Sequence, residues 1–271
     1  MIKTHGVSEI ITSKNSNDSL IEEINRLGYA VIEDFLCLED VELAKSKLAH
    51  IYDIQANEVG GAKKLKIIKE EGIVRAPLAY DQFFLKKLCV NRKVNPIIDV
   101  LLDGAYHLYS QVGVLSNPNS DLYQVAWHRE IQYQHITTSR PLAIQLIFFF
   151  DNFDETNGAM SFIPSSHFFE KFPSVEYVKK HSIQPRIKAG SIVLMNSMLY
   201  HNAGINNSGA PTMLLTNTFV RPVLAQQFNY ARMLKNPDKL SSKEKEILGL
   251  RWDYSLTPKE WRLERVKKLN N

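Results

Sequence analysis

Between residues 107 and 220 the chain carries short apolar runs punctuated by Asn, Pro, Ser and Gly, and this punctuation restricts the fold more than any other feature. The runs are His107 to Leu115, Tyr123 to Trp127, Leu142 to Phe150, Ala159 to Ile163, Ser191 to Met195 and Met213 to Val220. Each is the length of a strand and too short for a globular helix. The flanks have helical period. Ser19-Leu20-Ile21-Glu22 has the form of a capping box opening a helix that Gly28 ends, and Glu39 to Ile51 repeats apolar residues at helical spacing. Asn95-Pro96 reads as N-cap and N1 of a helix running to Gly104. The predicted architecture is mainly β with flanking helices, a β-sandwich or barrel, in a single domain 1–271. Residues 1–104 form a helical front end with the first strands, 105–222 the core, and 223–271 a C-terminal helical extension in which Leu263 and Val266 dock on the core.

The glycine- and lysine-rich segment Asn57 to Lys69 reads as a solvated loop. Cys37 and Cys89 lack the spacing of a disulfide framework or zinc knuckle and read as buried thiols. No apolar run is long enough for a membrane span or a signal peptide, so no membrane partner is expected and the reading is cytoplasmic. The net charge of +4 is concentrated in residues 232 to 271, with 11 Lys+Arg against 6 Asp+Glu. Aromatic interleaving and a recognition motif are lacking there, so this reads as a solvated helix and no nucleic-acid partner is expected.

The chemistry sits in Trp127-His128-Arg129-Glu130. In a strand, residues two apart share a face, so His128 and Glu130 would point at one place. Among 8 histidines such a triplet arises about once by chance in ordinary composition, so the triplet needs a third ligand. His201, after the run Ser191 to Met195, is the best supplier. Two histidines and a carboxylate with open positions suit non-haem Fe(II). Tyr133, Phe149 and Tyr200 lie near these positions as core or pocket residues.

Several motifs in order resemble the phytanoyl-CoA dioxygenase family of Fe(II)/2-oxoglutarate oxygenases. They are Gln124 to Glu130, Asp151 to Met160, Ile163-Pro164-Ser165-Ser166-His167, Gly190 to Leu194 leading to His201, Asn202 to Ser208, and Leu248 to Trp252, with Gly28 to Ile32 at the front. The resemblance implies a double-stranded β-helix, a jelly-roll or cupin-like barrel, holding Fe(II) on His128, Glu130 and His201. It further implies 2-oxoglutarate and O2 as co-substrates and oxidation of a small-molecule substrate. His167 closes the family's turn and reads as structural.

Three positions depart from the family pattern. Glu130 replaces the usual Asp, Ser165 replaces a glycine, and Thr212 stands where the family has the arginine that pairs with the far carboxylate of 2-oxoglutarate. A hydroxyl does not replace a bidentate cation. Arg75 and Gln145 are therefore the candidate co-substrate contacts, whereas Arg140 and Arg221, each beside a proline, read as surface charges. Two alternatives follow from Thr212: the same iron site with a different keto acid or none, and a catalytically retired barrel that serves as a binding protein. Halogenation is disfavoured, because Glu130 occupies the place a halide would need. Substrate identity and oligomeric state are not legible.

Overall fold

The apolar runs resolve into two antiparallel sheets. The computed structural model describes His5, Val7 and residues 14–120, 123–131, 136–234, 239–252 and 255–269; Tyr133 lies outside them. The strands are β1 (Tyr29–Ile32), β2 (Ile73–Arg75), β3 (His107–Ser116), β4 (Ala143–Phe149), β5 (Ser161–Phe162), β6 (Ile192–Asn196), β7 (His201–Asn202) and β8 (Thr212–Val220). Six form one sheet in the order β1-β6-β4-β8-β3-β2, and β5 pairs with β7 in a second.

Strand β4 is buried at every residue because both faces of the large sheet are covered. On one face, Ile144, Leu146 and Phe148 join Leu194, Leu215 and Phe219 in a core roofed by helices. On the other, Ile147 and Phe149 join Val193, Met195, Phe153, Phe162 and Leu199, the last two from the side of the small sheet. Phe149 packs edge-on against Phe153 at 5.1 Å and is core, not pocket.

Helix α1 (Ser16–Leu27) starts four residues earlier than the Ser19 motif suggests, because Asn15 caps it by accepting from Asp18 N–H at 3.1 Å. Its C-cap Gly28 is left-handed at φ 92°, and a Cβ there would lie 2.5 Å from Leu199 Cδ1. That close approach holds the α1–β1 corner against the chain leading into β7. Helix α2 (Leu38–Glu58) buries Val41, Ala44, Leu48 and Ile51 on one stripe, each worth up to about 1.5–3 kcal/mol for the larger side chains. The expected loop contains a short helix α3 (Ala62–Ile67), which buries only Leu65 and so leaves little apolar signature. Helix α4 (Asn95–Leu101) has Val94 at its N-cap; Asn95 is already helical and donates to Tyr106 Oη at 3.2 Å. Beyond it come α5 (Val175–His181), α6 (Tyr230–Met233), α7 (Ser242–Ile247) and α8 (Pro258–Leu269).

Four other expectations need correction. Tyr123 to Trp127 is no strand: Tyr123–Val125 is a 3₁₀ turn. The described strands do not close into a barrel, since β5 and β7 have two residues each and cannot continue the ladder around. Leu263 and Val266 do not dock: both are about half exposed on α8. Cys37 is exposed, its thiol donating to Asp40 at 3.2 Å beside the start of α2, and only Cys89 is buried. Among the described residues no helix is long and apolar enough to cross a membrane.

Candidate metal centre

The cavity-facing residues of the large sheet and the segment after the 3₁₀ turn build one site. His128 and His201 face each other as an antiparallel bridge, His128 N–H donating to His201 O at 2.9 Å and His201 N–H to His128 O at 3.0 Å. Glu130 N–H then donates to Ser197 O at 3.0 Å. The segment is thus extended and anchored at both candidate ligands, although it is not a regular strand. The imidazole centroids lie 4.3 Å apart, and the donor atoms of His128, Glu130 and His201 all fall within 4.8 Å of one another.

The histidine tautomers follow from local hydrogen bonds. His128 Nδ1 lies 2.7 Å from Ala126 O, and His201 Nδ1 lies 2.9 Å from Leu199 O. A carbonyl only accepts, so each Nδ1 carries the hydrogen and each Nε2 keeps a lone pair. Burial lowers both imidazoles, His201 to about 3 with further help from the neighbouring His128. Both are neutral at pH 7, as metal ligands must be.

Glu130 behaves oppositely. Burial pushes its carboxyl up to about 7, against hydrogen bonds from Thr218 and Gln145 that favour the anion. The residue as a whole is half-buried, since it lines the cavity, but its carboxyl is walled by β4 and β8. A metal arriving at this site therefore competes with one proton, on Glu130. Apparent divalent-metal affinity is expected to fall about tenfold per pH unit below about 7 and to level off above it. Calorimetric titration across pH 5.5 to 8 checks this; a fall of about a hundredfold per unit would mean that a histidine also titrates.

These residues line a cavity of about 470 Å³ together with Arg75, Tyr109, Gln145, Leu214 and Thr216. Arg75 donates through Nε and Nη2 to Glu70 at 2.8 and 2.5 Å. Gln145 is 3% exposed and reaches Glu130. Thr212 is not in the cavity wall: it begins β8, and its hydroxyl donates to Asn157 O at 3.2 Å, so the cavity-facing residues of that strand are Leu214 and Thr216. His167 stands apart from the three, its Nε2 3.3 Å from Asn25 O. Arg140 and Arg221 both bind Asp103, at 2.7 and 3.0 Å.

Sequence reading did not single out Arg129 or Thr218. Arg129, between the two ligands in sequence, is buried and stacks at 4.0 Å on Tyr200, which is itself core. Its adjacency to His128 and Glu130 was the available signal. Thr218 carries none without knowledge of strand pairing.

The chain is 26% identical over 248 residues to the uncharacterized protein Rv1501 of Mycobacterium tuberculosis and equally to the uncharacterized protein Mb1539 of Mycobacterium bovis, covering 88% of this chain and 89% of each relative. Its fold is similar to the crystal structure of AviO1 from Streptomyces viridochromogenes Tue57, with a TM-score of 0.57 and 16% identity, over 79% of this chain and 99% of that one. The family model for phytanoyl-CoA dioxygenase matches residues 24–213, a span that contains all three candidate ligands, and the chain belongs to that family.

Proposed function

We propose that the protein is a non-haem Fe(II)- and 2-oxoglutarate-dependent dioxygenase that oxidises a small molecule, with His128, Glu130 and His201 as the iron ligands. The observation that carries this reading is the convergence of two Nε2 lone pairs and one carboxylate on a cavity wall, each histidine fixed by its own carbonyl. Two nitrogens and one oxygen suit Fe(II) and leave room for further ligands. With a keto acid and O2, iron in such a site supplies an oxidant able to take hydrogen from carbon.

The chain's own residues set the surroundings. Val112, Val114, Met160 and Leu214 give part of the cavity an apolar lining that keeps water away from the reacting centre. Arg75 is assigned the remote carboxylate of the co-substrate, because it is a cation in the wall of the cavity that holds Glu130, and Thr212 is not in that wall. Tyr109 stands near both Arg75 and Glu130; burial first, and Glu130 second, raise its phenol, so it remains a neutral donor.

Replacement Arg75→Gln is expected to raise the 2-oxoglutarate concentration for half-maximal succinate formation about 10- to 100-fold, the loss of one charge-assisted hydrogen-bonded pair. Steady-state kinetics at saturating Fe(II) checks it, and an unchanged value would remove Arg75 from the co-substrate site. One observation favours a second reading, in which another keto acid or a directly chelating substrate occupies the iron: Glu70 already engages two N–H groups of Arg75. Under that reading the protein consumes O2 without forming succinate from 2-oxoglutarate.

A further inference from the structure

Glu130 reaches the cavity one methylene beyond the Asp typical of the family resemblance, and the structure shows what meets it there. Thr218 Oγ1 donates to Glu130 Oε1 at 3.4 Å, and Gln145 lines the same cavity wall as Glu130. Gln145 and Thr218 are direct partners in the β4–β8 ladder, so their side chains rise together from the same face of the sheet. A carboxylate only accepts, so the Thr218 hydroxyl donates to it, and the amide NH2 is the group with which Gln145 can do the same.

The rest of Gln145 shows that this is not packing. Its Oε1 is buried without a hydrogen-bond partner, an arrangement that costs stability. Every other residue of β4 is apolar, and a leucine or methionine would fill the place without that cost.

We infer that Gln145 and Thr218 are a pair of positioning residues that hold the Glu130 carboxylate in place for the metal, one donor from each of two hydrogen-bonded strands. The inference rests on the metal reading above. It gives Gln145 a task at the metal ligand instead of at the co-substrate, and it gives a physical reason for glutamate at position 130: the longer side chain is the one this strand pair holds. Outer donors of this kind are typically worth 10- to 100-fold in metal affinity.

The test uses the full chain, Co(II) as the probe, and the variants Thr218→Val, Thr218→Ser, Gln145→Met and His201→Ala, each checked by circular dichroism. Thr218→Val keeps shape and removes the donor; Thr218→Ser keeps the donor. The expected result is Co(II) binding weakened about tenfold or more in Thr218→Val and Gln145→Met, an altered visible Co(II) spectrum in both, and recovery of affinity and spectrum in Thr218→Ser. If Gln145→Met fails to fold, the Thr218 pair alone decides. Should the wild type bind no Co(II), the metal reading falls and this inference with it. Should the wild type bind, His201→Ala not bind, and Thr218→Val match the wild type in affinity and spectrum, the metal reading stands and the positioning pair is overturned.

Discussion

Replacing His201 with alanine is expected to abolish stoichiometric Fe(II) binding while leaving the sheets folded. His201 is 2% exposed, and it supplies one of three donor atoms within 4.8 Å of one another. The loss in affinity should exceed the roughly 10- to 100-fold typical of an outer-shell change, because a ligand itself is gone. The backbone bridge to His128 does not involve the side chain and persists in the variant. Removing the imidazole forfeits one hydrogen bond to Leu199 O and leaves a space that opens onto an existing cavity, so the fold should survive. Anaerobic iron loading followed by metal analysis, with circular dichroism as the control, reads both effects. Full iron occupancy in His201→Ala would remove this residue from the site.

The largest effect on stability is expected at Arg129. Its guanidinium donates to Ser166 O at 3.1 Å, to Ile136 O at 3.4 Å and to Phe169 O, and it lies flat against Tyr200. These carbonyls all lie later in the chain, so one side chain ties residues 136, 166 and 169 to the backbone between His128 and Glu130. Arg129→Ala would strip one buried and two part-buried carbonyls of a charged donor, and two or three such bonds at about 1.5–3 kcal/mol each, partly recovered by water, give an expected cost of roughly 3–5 kcal/mol. Chemical denaturation of the metal-free protein measures it. A cost below about 1 kcal/mol, the range of an exposed substitution, would show that the guanidinium does not hold this region together.

The parts of the fold that sequence made visible are those whose burial leaves a pattern. Strands β3, β4, β6 and β8 are long apolar runs, and β4 in particular lies between two cores, so it has no polar face to blur it. Strands β2, β5 and β7 have two or three residues each and are fixed by partners remote in sequence, such as Phe162 opposite His201. Tyr123 to Trp127 has the composition of a strand, yet its backbone turns, and only the bridge at His128 is sheet-like. Helix α8 has Leu263 and Val266 at helical spacing, yet they face solvent, because periodicity records amphipathicity and not what covers it.

The candidate site divides in the same way. His128 and Glu130 are two apart and legible as a pair, and His201 was legible from its place after the apolar run Ser191 to Met195. Gln145 stood out as a lone amide in an apolar run, but its task depends on Thr218, and that pairing is set by the β4–β8 register. The position aligned with the family's arginine lies at the start of β8. Counting eleven residues from His201 reaches Thr212, whereas the cavity wall on β8 is formed further along, by Leu214 and Thr216.

In the proposed function, the three ligands hold iron in a form that accepts a keto acid. Anaerobic titration of the Fe(II)-loaded protein with 2-oxoglutarate tests it most directly, since chelation by the keto-acid end gives a visible charge-transfer band. The band is expected to appear and saturate with one equivalent bound per iron, and Arg75→Gln to shift the titration to higher concentration. Iron bound in full with no band at any 2-oxoglutarate concentration would contradict it.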